Sequence, residues 1–171
     1  MRWLSILAAA AALSLGTASA SAQPVVEVVF VNPERYADAS PSRYLVEERE
    51  RDAALAELRE HLRSLGAKHL KDGDRLRIEV LDVDLAGILE LSRSGQRDVR
   101  VMREAGVPRI DVRYTLNRAG VESSGQERVT DPAYLNSVTR CRATGPLCYE
   151  KLMLDDWFMR RFAGEVARRG H

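Results

Sequence analysis

An α+β fold, a two-layer sandwich with a mainly antiparallel sheet of about 4–5 strands and two main helices packed on it, is what three features of the sequence predict. Apolar residues alternate with polar ones around Leu76–Val80 and again around Ile110–Leu116, the period-two signature of half-buried strands. Leu55, Leu58, Leu62 and Leu65 recur at helical spacing. A second stripe, Leu154, Phe158, Phe162 and Val166 with Trp157 alongside, marks a terminal helix from about Tyr149 to Arg168.

Taken in order, the first element is valine-rich, Val25 to Val31, interrupted only by Glu27 and stopped by Asn32-Pro33. Its near-continuous apolar character suits an interior strand. Glu34 to Ala39 is a connection, and Ser40-Pro41 supplies an N-cap and first-turn pair for a helix. One helix from Pro41 to Leu65 and two pieces meeting near Asp52 both fit, with Gly66 as the C-terminal stop. Lys71-Asp72-Gly73-Asp74 is a turn.

The next strand breaks its own pattern. Leu76, Ile78 and Val80 alternate with Arg77 and Glu79, but then Asp82 and Asp84 take the phase that had been apolar, and Leu81, Val83 and Leu85 take the other. A regular strand would bury two carboxylates, so a bulge near Val80 and Leu81, or a passage to another covering layer, is expected. Ile88 to Ser94 reads as a helical turn or irregular chain, and Arg97 to Met102 as a short edge strand. Ile110, Val112, Tyr114 and Leu116, a turn over residues 117–120 and a polar return from Val121 to Val129 predict a hairpin whose second strand lies at or near an edge. Thr130-Asp131-Pro132 opens a short helix from Pro132 to about Ser137.

The amino-terminal residues read as an address. Arg2 precedes a short apolar run, Leu4 to Leu15, and small-residue cleavage sites follow at Ala18-Ser19-Ala20 and Ala20-Ser21-Ala22. Cleavage between Ala22 and Gln23 is expected, leaving residues 23–171 as a single α+β domain in the periplasm or outside the cell. The run is too short and alanine-rich for a membrane span, no second run follows, and no cysteine closes it as a lipid-anchored protein would require. The mature chain should therefore carry no transmembrane segment. Of 26 basic and 25 acidic residues, removal of Arg2 leaves 25 of each. Interspersed charges of zero sum give no footprint for nucleic acid, and the Arg160-Arg161 and Arg168-Arg169 pairs read as solvated positions near a helix end. In an oxidising compartment Cys141 and Cys148 should form a disulfide around a Gly145-Pro146 turn.

Asp82 and Asp84 are the catalytic or metal-ligating candidates, because two carboxylates on one strand face lie about 7 Å apart. The competing expectation is that they pair with arginines such as Arg97, Arg100 or Arg113, or cap amides at the bulge. Asp155 and Asp156 read as surface acids, with Lys151 at i, i+4 from Asp155, and Trp157 and Phe158 as core. His61, His69 and His171 have no zinc spacing, and no nucleophile elbow, phosphate loop or dinucleotide fingerprint occurs. No metal site or cofactor is expected.

Four stretches carry a family resemblance: residues 30–38, reading FVNPERYAD; Asp82-Val83-Asp84-Leu85-Ala86-Gly87; Arg113-Tyr114-Thr115-Leu116; and Tyr149-Glu150-Lys151 leading to Leu154-Asp155-Asp156-Trp157-Phe158. Together they resemble the bacterial family named domain of unknown function 3016, over nearly the whole mature chain. The resemblance implies an exported one-domain protein and no activity, so no catalytic residue carries over. The function expected is a non-catalytic binding or envelope accessory module, with an envelope protein as partner. The alternative is a carboxylate-dependent enzyme or divalent-metal-binding protein centred on Asp82 and Asp84.

Overall fold

Strand β1 (Val25–Phe30) runs parallel to β2 (Arg75–Asp84), and the long helix α1 (Glu47–His69) makes the crossover that a parallel pair requires. β2 then pairs antiparallel with β5 (Arg109–Arg118), and β5 with β6 (Val121–Thr130), giving the order β1-β2-β5-β6. The computed structural model describes residues 23–41, 47–91, 98–141 and 145–163. The expected signal segment, Arg97, Val166, the Arg168-Arg169 pair and His171 lie outside them.

One parallel and two antiparallel pairings make a mainly antiparallel sheet, as the alternation predicts. β1 is nevertheless an edge strand and not an interior one, because β5 occupies the other side of β2. Its apolar run reflects cover by α1: Val28 is buried while Val25, at the strand start, is 56 % exposed. β6 is the opposite edge, and Ala119 and Gly120, with φ of 51° and 81°, form the two-residue turn that delivers it.

Both main helices lie on one face of the sheet. Leu58 and Leu62 from α1, Ile78 and Val80 from β2, Val112 from β5, and Leu154 and Phe158 from α3 (Cys148–Phe158) form the centre of the core, each essentially excluded from water. Burial of one such side chain contributes about 1.5–3 kcal/mol. A π-helical turn, Met159–Ala163, continues α3 and rotates Phe162 inward beside Phe158, their rings 4.9 Å apart. The opposite sheet face is polar, with Glu27, Arg77, Glu79 and Arg113 linked across three strands by ion pairs of 2.6–3.2 Å.

Three local expectations are corrected. Ile88–Leu91 is a strand, β3, paired antiparallel with β4 (Asp98–Val101), and not a helical turn or irregular chain. The short helix begins later than Pro132, as a 3₁₀ turn over Tyr134–Ser137 followed by α2 (Val138–Cys141). The reason is that Asp131 closes its own turn by accepting from the Ala133 amide, while the Thr130 hydroxyl donates to the Pro108 carbonyl and caps nothing. Finally, Gly66 does not end α1, which continues to His69 without a break near Asp52.

Gly66 is instead a point of close approach. A Cβ there would stand 2.0 Å from Val26 Cγ2, a stiff β-branched atom on β1. Gly66→Ala should therefore lower stability in urea unfolding by about 1–3 kcal/mol, although alanine in an exposed helix would gain about 1. In a Val26→Ala background the same substitution should become neutral or stabilising. An equal loss in both backgrounds would contradict the contact.

Candidate functional site

The bulge expected in β2 is at Leu81. Val80 faces Val112 and Asp82 faces Asp111, so one residue of β2 has no counterpart on β5. The extra residue keeps Leu76, Ile78, Val80, Val83 and Leu85 together in the core and sends Asp82 and Asp84 to the polar face. The strand does not change its covering layer.

Chain following β1 is stitched to this bulged end. The Val80 carbonyl accepts from the Val31 amide at 2.9 Å and from the Tyr36 hydroxyl at 2.7 Å. Burial pushes the Tyr36 phenol up to about 12. Asp82 Oδ1 accepts from the Ala37 amide at 2.8 Å, the Asp38 amide donates to Val83, and the Leu85 amide donates to Asp38.

Arg109, directly opposite Asp84 in the ladder, answers both carboxylates: its Nη2 lies 3.3 Å from Asp82 Oδ2 and 3.4 Å from Asp84 Oδ2. Of the arginines named from the sequence, Arg113 pairs with Glu79 one step along and Arg100 pairs with Asp38. Burial holds the Asp84 carboxyl above the ordinary aspartate range, with Arg109 acting against it and Asp38 and Asp82 adding to it. A shallow depression of about 320 Å³ lies beside Asp82, between Val31, Asn32, Arg35 and Leu81. Among the described residues no group of three or more His, Cys, Asp or Glu side chains converges to hold a metal ion.

The larger concavity lies at the end of β2. Arg100 on β4 reaches across: Nη1 donates to the carbonyls of Leu85, Ala86 and Gly87, and Nη2 donates to Asp38 Oδ1 at 2.9 Å and the Ser40 carbonyl at 2.8 Å. Against the same backbone, Glu150 from the first turn of α3 accepts the Ala86 amide at 2.7 Å. Glu150 is 2 % exposed. Burial raises its carboxyl above the ordinary glutamate range, with the Ala86 amide pulling the other way.

Between these residues, the first half of α1 and the cysteine loop is a cavity of about 560 Å³. Its walls are chiefly apolar, from Ala54, Leu85, Ala86, Met102, Leu147 and the disulfide. Cys141 and Cys148 are bonded, their Cα atoms 5.4 Å apart, so the staple expected from the sequence also forms part of a cavity wall. Pockets of this size and polarity are ordinary for small ligands.

Sequence reasoning did not single out this cavity. Arg100 appeared only as a partner for Asp82 or Asp84, and Glu150 only within a family stretch. A charged residue in a strand or helix gives no one-dimensional sign that it is buried. The other candidates divide clearly. Asp155 pairs with His61 of α1 at 2.8 Å and not with Lys151, which crosses to Glu57, because the α1–α3 interface faces both side chains. Asp156 is exposed. Trp157 and Phe158 are core, and the Trp157 indole donates to Glu127.

An open mixed sheet with both helices on one face and a disulfide-walled cavity defines an α+β protein with a preformed concave site. Residues 24–160 match the family described as "Protein of unknown function (DUF3016)", and the chain belongs to that family. Among solved structures it has a faint likeness to a minor lipoprotein from Acinetobacter baumannii, at 12 % identity and a TM-score of 0.25 over 86 % of this chain and 94 % of that one. A likeness this slight carries no argument. No curated protein matches the chain. No helix among the described residues is long and apolar enough to cross a membrane.

Glu150 gives a pH test. A carboxyl whose pKa is raised on folding contributes stability below its unfolded pKa and loses it as pH rises through the folded value. Glu150→Gln should therefore gain denaturation midpoint relative to the parent protein at pH 8 and show no such gain at pH 4. Superimposable profiles for the two proteins would contradict the burial cost.

Proposed function

We propose that this chain is an exported, non-catalytic binding module of the bacterial envelope, with the apolar cavity beside Arg100 and Glu150 as its ligand site. The observation that carries the reading is the cavity itself. It is walled by the ends of β2, α1 and α3 and closed on one side by the disulfide, so its shape is held before any ligand arrives. Arg109 stands between Asp82 and Asp84, where a divalent cation would have to sit, and this favours the cavity over that pair as the centre of function.

Export is supported by the charged and apolar segment ahead of Gln23 and by the disulfide, a bond typical of oxidising compartments. In this reading residues 1–22 are removed, residues 23–171 act as one domain, and an envelope protein or envelope-derived small molecule is what the module meets. Intact-mass analysis of the protein recovered by osmotic shock from a Gram-negative host should give a chain beginning at Gln23 with no titratable thiol. Recovery only from the cytosol, with the leader retained, would overturn the export reading.

A further inference from the structure

The outer edge of β6 is open: among the described residues no strand pairs with it other than β5. β6 is 10 residues long and stays in register with β5 throughout, without a bulge. It contains neither proline nor lysine, devices that ordinarily keep an edge from pairing. The turn at Ala119-Gly120 fixes which of its backbone groups face outward. Arg118 and Val121 flank that turn as a hydrogen-bonded pair, and the alternation of an antiparallel ladder gives the same inward role to Ser123, Gly125, Glu127 and Val129. The N–H and C=O groups of Glu122, Ser124, Gln126 and Arg128 therefore point away from β5, and these four residues are all exposed.

A strand that meets its own copy antiparallel does so about a two-fold axis. Hydrogen bonding requires outward residues to oppose outward residues, which leaves few registers. With the axis at Gly125, Ser124 faces Gln126 of the second copy and Glu122 faces Arg128 of the second copy. Moving the axis to Ser124 or Gln126 sets Glu122 against Gln126 or Thr130 and separates the charges. Glu122 makes no ion pair among the described residues, and Arg128 holds Asp111 through Nε and Nη2 at 2.8 and 3.0 Å, which keeps Nη1 for a further acceptor. The same register brings Val121, 70 % exposed, beside Val129 of the second copy, and it puts a residue without a side chain on the axis, where each chain opposes itself. We propose that β6 pairs antiparallel with β6 of a second copy about an axis at Gly125, joining two four-stranded sheets into one. Among the described residues none of β6 lines the cavity, so pairing at this edge is independent of ligand binding there.

Sedimentation of the purified, disulfide-intact protein over a range of concentrations should show a reversible monomer–dimer equilibrium. Glu122→Arg and Arg128→Glu each set like charges opposite one another on both sides of the axis, and each should raise the dissociation constant about tenfold or more. Mixed in equal amounts, the two variants should recover the parent affinity, because every reversed charge then meets its opposite. Ser124→Pro removes an outward N–H and leaves the ladder with β5 intact, so it should fold and stay monomeric. A parent protein that is monomeric at its highest soluble concentration would overturn the pairing. So would a dimer that survives Ser124→Pro, or one that the charge reversals leave unchanged.

Discussion

One unpaired residue, Leu81, sets the arrangement of everything around the site. Without it the apolar phase of β2 would end at Val80, and the chain would have to bury Asp82 and Asp84 or expose Val83 and Leu85. The bulge lets the core continue under the same helices to the end of the strand. It also leaves the Val80 carbonyl turned to accept twice, from Val31 and from Tyr36. From there the chain after β1 zips onto β2 through Ala37 and Asp38, and Asp38 in turn holds Arg100. Arg100 gathers three successive carbonyls at the strand end, and the amide of the middle residue goes to Glu150. The cavity wall is the sum of these contacts.

That chain of contacts gives the family stretches a physical meaning. The stretch around Tyr36 and the stretch from Asp82 to Gly87 are one structure, joined by five hydrogen bonds at the bulged end of β2. The stretches containing Tyr114 and Trp157 are another: the two rings lie edge to face 6.2 Å apart, and both side chains donate to Glu127. Residues far apart in sequence are linked because each needs the other for a buried polar group or an aromatic edge to be satisfied. Asp82 belongs to that structural set, since it accepts a backbone amide and a guanidinium.

Much of the fold was legible because periodicity reports burial directly. The alternation in β2 and β5, the stripe through Leu62 and the flip at Leu81 all follow from which side chains must avoid water. Where the reading failed, a pairwise relation decided the outcome. β1 reads as interior because a helix covers it, and its edge position depends on β5 taking the far side of β2. Gly66 has the residue type of a helix stop and serves as a gap for Val26. Of the site, the aspartates and cysteines were visible as residue types. Arg100 and Glu150 were not, because burial of a charged side chain is set by the elements that close over it.

The placement of the site rests on the register of β2 against β5, and cross-strand nuclear Overhauser contacts read that register without altering the chain. The bulge places Val80 opposite Val112, Asp82 opposite Asp111 and Val83 opposite Ile110. Backbone contacts in those three pairs, with Leu81 unpaired, are the predicted result. An unbroken ladder with Leu81 opposite Asp111 and Asp82 opposite Ile110 would contradict it, and with it the placement of the carboxylates, the Arg100 anchor and the cavity.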